Sequence, residues 1–72
     1  MARYFAVLQG SNGELGAIGA QKHDRAAHEV ACWRETIGRA ALVKSTRTSR
    51  RAARTKNQAA LLALLTAHEG ES

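Results

Sequence analysis

Six cations crowd into thirteen positions of this chain: Lys44, Arg47, Arg50, Arg51, Arg54 and Lys56. Ser45, Thr46, Thr48, Ser49, Thr55 and Asn57 are interleaved with or adjoin them, and all six can hydrogen-bond phosphate oxygens. Arginine outnumbers lysine here four to two, and the planar fork of a guanidinium suits phosphate. Side chains of these types at this density point to contact with a phosphate backbone. They do not point to base reading, because no distinct reading motif accompanies them.

Charge placement strengthens the signal. The net charge is +5 in 72 residues. Through Glu35 the chain is balanced, with Arg3, Lys22, Arg25 and Arg34 against Glu14, Asp24, Glu29 and Glu35. Between Glu35 and Glu69 there is no acid, and Arg39 joins the six cations above. A field of one sign on half a molecule attracts polyanions and speeds their encounter. The plainer reading is a solvated basic face that only keeps the protein soluble.

Other candidate chemistries are thinner. His28 and Cys32 lie four apart, a spacing that sets two side chains on one helical face. His23 and His68 are distant additions, so neither a metal centre nor a Cys/His nucleophile with an orienting acid can be assembled. The chain is read as a non-enzyme without metal or cofactor. Gly10, Gly13, Gly16 and Gly19 recur every three residues. They match neither a dinucleotide fingerprint nor a phosphate loop. A glycine-rich hairpin is the simplest account, with backbone N–H groups cradling an anion as the alternative. Tyr4 and Phe5 could stack bases, but neighbours on a strand face opposite ways, and a core role for both is expected.

The elements that must position these groups are legible in outline. Residues 3–9, Arg-Tyr-Phe-Ala-Val-Leu-Gln, read as a strand stopped by Gly10-Ser11-Asn12-Gly13. Asn12-Gly13 suits a tight hairpin turn, which makes 14–20 the returning strand. Ala26, Val30, Trp33 and Ile37 fall on one helical face, with Asp24 as N-cap and Gly38 just past the end. This predicts a helix over 24–37, with Arg25/Glu29 and Glu35/Arg39 as pairs four apart. Residues 40–44 suggest a short strand. A second helix is expected over about 50–68, ended by Gly70.

That last helix contains a conflict. Leu61, Leu62, Leu64 and Leu65 share a meridian with Arg50, Arg51 and Arg54, so one side changes from apolar to basic halfway along. The three arginines would also sit at the positive end of the helix dipole. The reading is that the leucine half docks on the body or meets a partner, while the arginine half projects towards an anion. A helix lying on a membrane would put the two clusters on opposite sides instead. Residues 44–58 could order only on binding.

Size and composition set further limits. The chain is one small domain, and 15 of its 32 apolar residues are alanine. Each alanine methyl stabilises little. Such a core is either very closely packed or completed by a second copy, and a homo-oligomer is expected. The lone Cys32 excludes an internal disulfide. The longest apolar run, residues 59–65, is far short of the roughly 20 residues that span a membrane. With no secretory signal in the first ten residues, the cytoplasm, of a bacterium or a phage-infected host cell, is the default location.

The opening Tyr4-Phe5-Ala6-Val7-Leu8-Gln9-Gly10-Ser11-Asn12-Gly13-Glu14, with Gly19 and Trp33, resembles small bacteriophage accessory proteins of the Tyr-x-Ala-x-Leu-x-Gly-x-x-Gly-Glu type. The likeness covers roughly residues 3–33. It departs at Gly16-Ala17, where those proteins carry Thr-Arg, and at Gln21-Lys22-His23-Asp24, where they carry Lys-x-Ser-Gly. The resemblance implies a mostly β protein with Trp on a strand, against the helix argued above. It also implies a phage-encoded role, for instance as a sponge for a nucleotide signal.

The sequence therefore predicts an α+β domain that binds a phosphate-rich polyanion, most simply DNA or RNA, through Lys44, Arg47, Arg50, Arg51, Arg54 and Lys56. About five phosphate contacts would give log K a slope of roughly −4 to −5 against log salt. The alternatives are the nucleotide sponge, or a protein-interaction module using Leu61, Leu62, Leu64 and Leu65.

Overall fold

A strand that is apolar at every position but its ends belongs in the middle of a sheet with both faces covered, and Tyr4–Gln9 is that strand. A computed structural model describes residues 1–36 and 38–70. Its elements run β1 (Tyr4–Gln9), β2 (Leu15–Ala20), α1 (His23–Thr36), β3 (Arg39–Lys44), α2 (Arg47–Thr55) and α3 (Gln58–His68). The three strands form one antiparallel sheet in the order β2-β1-β3. The architecture is α+β, with strands first.

Alternation along β1 divides the core in two. Phe5 and Val7 point to one face, where they meet Leu15, Ala41, Val43, Ala52, Leu61 and Leu65 beneath α2 and α3. Ala6 and Leu8 point to the other, against Val30 and Ala40, with Trp33 and Leu42 at the margin under α1. The abundance of alanine now has a structural reason. Ala6, Ala26, Ala40 and Ala41 are all fully enclosed within one chain, where a larger side chain would hold the layers apart.

The hairpin connection is longer than a two-residue turn. Residues 10–14 link the strands, with Gly13 N–H donating to Gly10 O at 2.9 Å and Gly10 N–H to Glu14 O at 2.8 Å. Gly13 alone takes a positive φ, 87°, while Asn12 uses its side-chain oxygen to accept the Glu14 N–H at 3.0 Å. Asn12 therefore acts through an Asx-type hydrogen bond and not through a left-handed backbone.

Helix α1 follows the expected amphipathic face. Ala26 and Val30 are buried and Trp33 half-buried, whereas Ile37 lies outside the described residues. The helix begins at His23, so Asp24 sits inside the first turn instead of capping it, where its charge still complements the dipole. At the other end Gly38, φ 107°, returns its N–H to Trp33 O at 3.0 Å. Trp33 is thus on a helix and not on the strand that the phage-protein resemblance implied.

The expected single helix over 50–68 is two helices. Lys56 takes a left-handed conformation (φ 54°, ψ 33°) and ends α2, and Asn57 caps α3 by accepting the Ala60 N–H at 3.1 Å. The physical reason lies in the conflict between leucine and arginine. In one unbroken helix at about 100° per residue, Arg50 and Arg54 would lie within about 40° of the Leu61–Leu65 meridian. Docking those leucines would then drag two guanidinium groups towards the core, where an unpaired charge is very costly. The break re-aims the chain. α2 buries Ser49 and Ala52, and α3 buries Leu61 and Leu65.

Candidate nucleic-acid interface

Helix α2 is built from its cap outward. Thr46 accepts the Ser49 N–H at 3.1 Å, and the Ser49 hydroxyl accepts the Thr46 N–H at 2.7 Å, a reciprocal box of the kind that starts helices. Ser49 is only 1% exposed, and its hydroxyl also donates to Lys44 O at 2.9 Å. This single side chain fixes the end of β3 to the start of α2. The helix consequently begins at Arg47, not Arg50, and Arg54 falls in its last turn, where the dipole favours a cation. Repulsion at the positive end thus acts on fewer arginines than a helix starting at residue 50 would suggest.

Several polar side chains expected to meet phosphate are committed to the backbone. Thr46, Ser49 and Asn57 are caps, and Thr55 donates to Arg51 O at 2.8 Å. Ser45 and Thr48 keep surface positions.

With Ser49 and Ala52 turned inward, the four arginines of α2 take the outer side. Arg50, Arg54, Arg47 and Arg51 follow one another round an arc of about 100°, and all four are exposed. Lys44 at the end of β3 and Lys56 at the α2–α3 break extend the basic surface at either end of the helix. Among the described residues, none of these six cations lies within 4.0 Å of a carboxylate. The acids Asp24, Glu29 and Glu35 belong to α1, on the opposite face of the sheet.

Arg39 is different. It is not in register with Glu35 on a helix, because α1 has ended and Arg39 opens β3. Its guanidinium grips Glu69 through Nη2 to Oε1 at 2.7 Å and Nε to Oε2 at 3.2 Å, and reaches Gln9 Oε1 at 3.1 Å. The Arg39 hydrogen bond holds the Glu69 carboxyl below the usual range, with desolvation opposing and the charges of Arg39 and Arg34 assisting. Arg34 works beside it, donating to Ala40 O at 3.0 Å and Glu69 O at 3.1 Å. Both arginines are structural. The expected Arg25/Glu29 pair does not form among the described residues.

The fold also recruits a cation that the sequence reading left in the balanced half. Arg3, Lys44 and Arg50 line one groove of about 580 Å³ with Tyr4, Gln21 and Ser45. A second groove, about 460 Å³, runs on past Phe5, Ala53 and Arg54 and shares Arg50. A third, about 330 Å³, lies between α2 and α3 with Arg47 and Arg51 on its rim. No sequence signal marked Arg3, because its proximity to Lys44 arises only from strand pairing.

Of the leucines expected to face a partner, Leu61 and Leu65 are closed into the core at 0% exposure. Leu64 is half-buried, and Leu62 alone is exposed, at 41%. Cys32 Sγ lies 3.5 Å from His28 Nε2 on the open side of α1. Among the described residues no three ligating side chains gather to hold a metal, and no helix is long and apolar enough to cross a membrane.

No known protein family matches the chain, nor does any curated protein or solved structure.

Proposed function

We propose that this protein binds the phosphate backbone of DNA or RNA without catalysis, using the outer surface of α2. The observation that carries the reading is the arc of Arg47, Arg50, Arg51 and Arg54, all exposed and, among the described residues, all without a carboxylate within 4.0 Å. Side-by-side guanidinium groups repel one another, and a polyanion threaded along them turns that repulsion into attraction while releasing its counterions. Ser49 and the Thr46 cap anchor the start of the helix to the end of β3, which fixes the side of the molecule on which these arginines stand.

The test is a salt titration. With Lys44 and Lys56 added to the four arginines, log K against log salt should fall with a slope near about −5 on duplex DNA. Replacing all four arginines with Ala should remove most of that slope, leaving it shallower than about −2. Affinity that ignores salt would overturn the reading. So would retention of tight binding by the fourfold variant. Tight, weakly salt-dependent capture of a cyclic dinucleotide with no binding of longer strands would replace it with a nucleotide-sequestering role.

A further inference from the structure

We propose that β2 is a docking edge for a second copy of this chain, the two β2 strands pairing antiparallel so that both sheets continue as one. Residues 14–22 carry this contact, and none of the arginines of α2 takes part. Along the edge strand of an antiparallel ladder, alternate residues bond inward to the neighbour and outward to nothing. Gly10 N–H donates to Glu14 O at 2.8 Å, and the β1–β2 register continues from that bonded pair. Gly16, Ile18 and Ala20 therefore bond to β1, while Leu15, Ala17 and Gly19 direct their N–H and C=O groups away from the sheet.

The two edges of the sheet are finished differently. On β3 the same alternation, set by Ser45 N–H donating to Arg3 O at 2.9 Å, turns Ala40, Leu42 and Lys44 outward. Arg34 Nε donates to Ala40 O at 3.0 Å and the Ser49 hydroxyl to Lys44 O at 2.9 Å, so side chains close both ends of that edge. On β2 only Leu15 is closed. Gln58 accepts its N–H at 2.7 Å and donates to its carbonyl at 2.9 Å, as a neighbouring strand would. Among the described residues, nothing takes the outward groups of Ala17 and Gly19. Leu15–Ala20 also contains no charge and no proline, two of the devices that keep edge strands from pairing.

Charge complementarity selects a second copy as the occupant. Outward residues must bond to outward residues, so a twofold axis at Ile18 sets Ala17 of each copy against the partner's Gly19. In that register Glu14 comes opposite the partner's Lys22, and the match repeats at the other end because both lie four residues from Ile18. Glu14 and Lys22 are exposed, and neither makes an ion pair among the described residues. Opposite charges facing one another across paired strands stabilise the pairing. Ile18, 37% exposed, gains cover from its own counterpart at the axis. A slide of two residues either way, the smallest that keeps outward groups facing, parts Glu14 from Lys22. Gln58 holds Leu15 and confines the new ladder to Ala17 and Gly19 of each copy, so the dimer is a weak one.

The experiment follows the full chain, free of nucleic acid, by sedimentation from about 5 μM to about 1 mM, with amide hydrogen exchange read at the same concentrations. Dimer should form over this range. The Ala17 and Gly19 amides should exchange about fivefold more slowly at the top of it than at the bottom, with Gly16 and Ile18 unchanged. Glu14→Lys sets like charges opposite one another and should weaken dimerisation about tenfold, as should Lys22→Glu. General repulsion between cationic chains predicts the opposite sign for Lys22→Glu, which lowers the net charge. Mixed in equal amounts, the two single variants restore both Glu–Lys pairs, and their heterodimer should recover wild-type affinity within about twofold. Variants damaged in folding could not give that recovery. A chain that stays monomeric to about 1 mM overturns the proposal. So does a dimer in which Ala17 and Gly19 exchange as fast as in the monomer. Single variants that self-associate as well as they associate with each other overturn the pairing centred on Ile18.

Discussion

Arg39 and Glu69 meet across 30 residues of sequence, joining the first residue of β3 to the end of α3 through two nitrogen–oxygen contacts of 2.7 and 3.2 Å. The pair lies at the surface, so water and salt weaken it, but it does not stand alone. Arg34 donates to the Glu69 carbonyl oxygen and Gln9 accepts from Arg39. Four residues from four parts of the chain thus fasten the last helix against the sheet.

Because Arg39 lowers the Glu69 pKa on folding, the sign of the pH dependence is set. A carboxyl with a depressed folded pKa contributes stability above its unfolded pKa, near about 4.3, and loses it as pH falls through the folded value. Glu69→Gln should therefore lower the thermal midpoint at pH 7. The difference from wild type should shrink as pH is taken from about 5 towards 3. A difference that stays constant over that range would show that the carboxylate charge contributes nothing.

Ser49 is the buried polar group on which the basic helix depends. Ser49→Ala leaves the Thr46 N–H and the Lys44 carbonyl without their partner. It should cost about 1–3 kcal/mol in urea denaturation. Loss of helical signal should accompany it if α2 frays from its first turn. Ser49→Cys, of similar size but a poor hydrogen bonder, should cost nearly as much.

Lys56 is the one non-glycine residue with positive φ among those described. Lys56→Gly removes the left-handed penalty at some cost in unfolded-state entropy, and should stabilise the protein by about 0.5–1 kcal/mol. The same variant lowers the salt slope of duplex binding by about one unit if Lys56 touches phosphate. The two readouts are independent, so gain in stability with an unchanged slope would remove Lys56 from the interface.

The leucines of α3 divide sharply. Leu65→Ala opens a void beneath α3 and should cost about 2–5 kcal/mol. Leu62→Ala, at an exposed position, should fall within about 0.5 kcal/mol. A large loss at Leu62 with monomer stability intact at low concentration would reveal a partner seated on that surface.

Much of the fold was legible because it is written in local patterns. The apolar run of β1, the turn residues after it and the spacing of Ala26, Val30 and Trp33 each depend on neighbours in sequence, and β1, β2, α1 and β3 lie within a residue or so of where those patterns put them. The division of the last helix was not legible from periodicity, although the meridian shared by leucine and arginine was a symptom of it. Its cause is three-dimensional: the sheet requires Leu61 and Leu65 inside, and that requirement forces the chain to turn at Lys56–Asn57. The Thr46/Ser49 and Asn57 caps were visible as residue types but were read as phosphate contacts. Arg39 was counted with the cations, and its partner Glu69 could not be found by spacing. Arg3 joins Ser45 through strand pairing, to which charge summed along a sequence is blind.

The central position of the first strand has an implication for biosynthesis. Phe5 and Val7 are made well before Leu61 and Leu65, the residues that cover them. A growing chain must therefore carry an oily, half-finished sheet until nearly sixty further residues have been added. Such a protein folds late and all at once, by contacts distant in sequence, and while it waits it is open to capture by chaperones or by its own siblings.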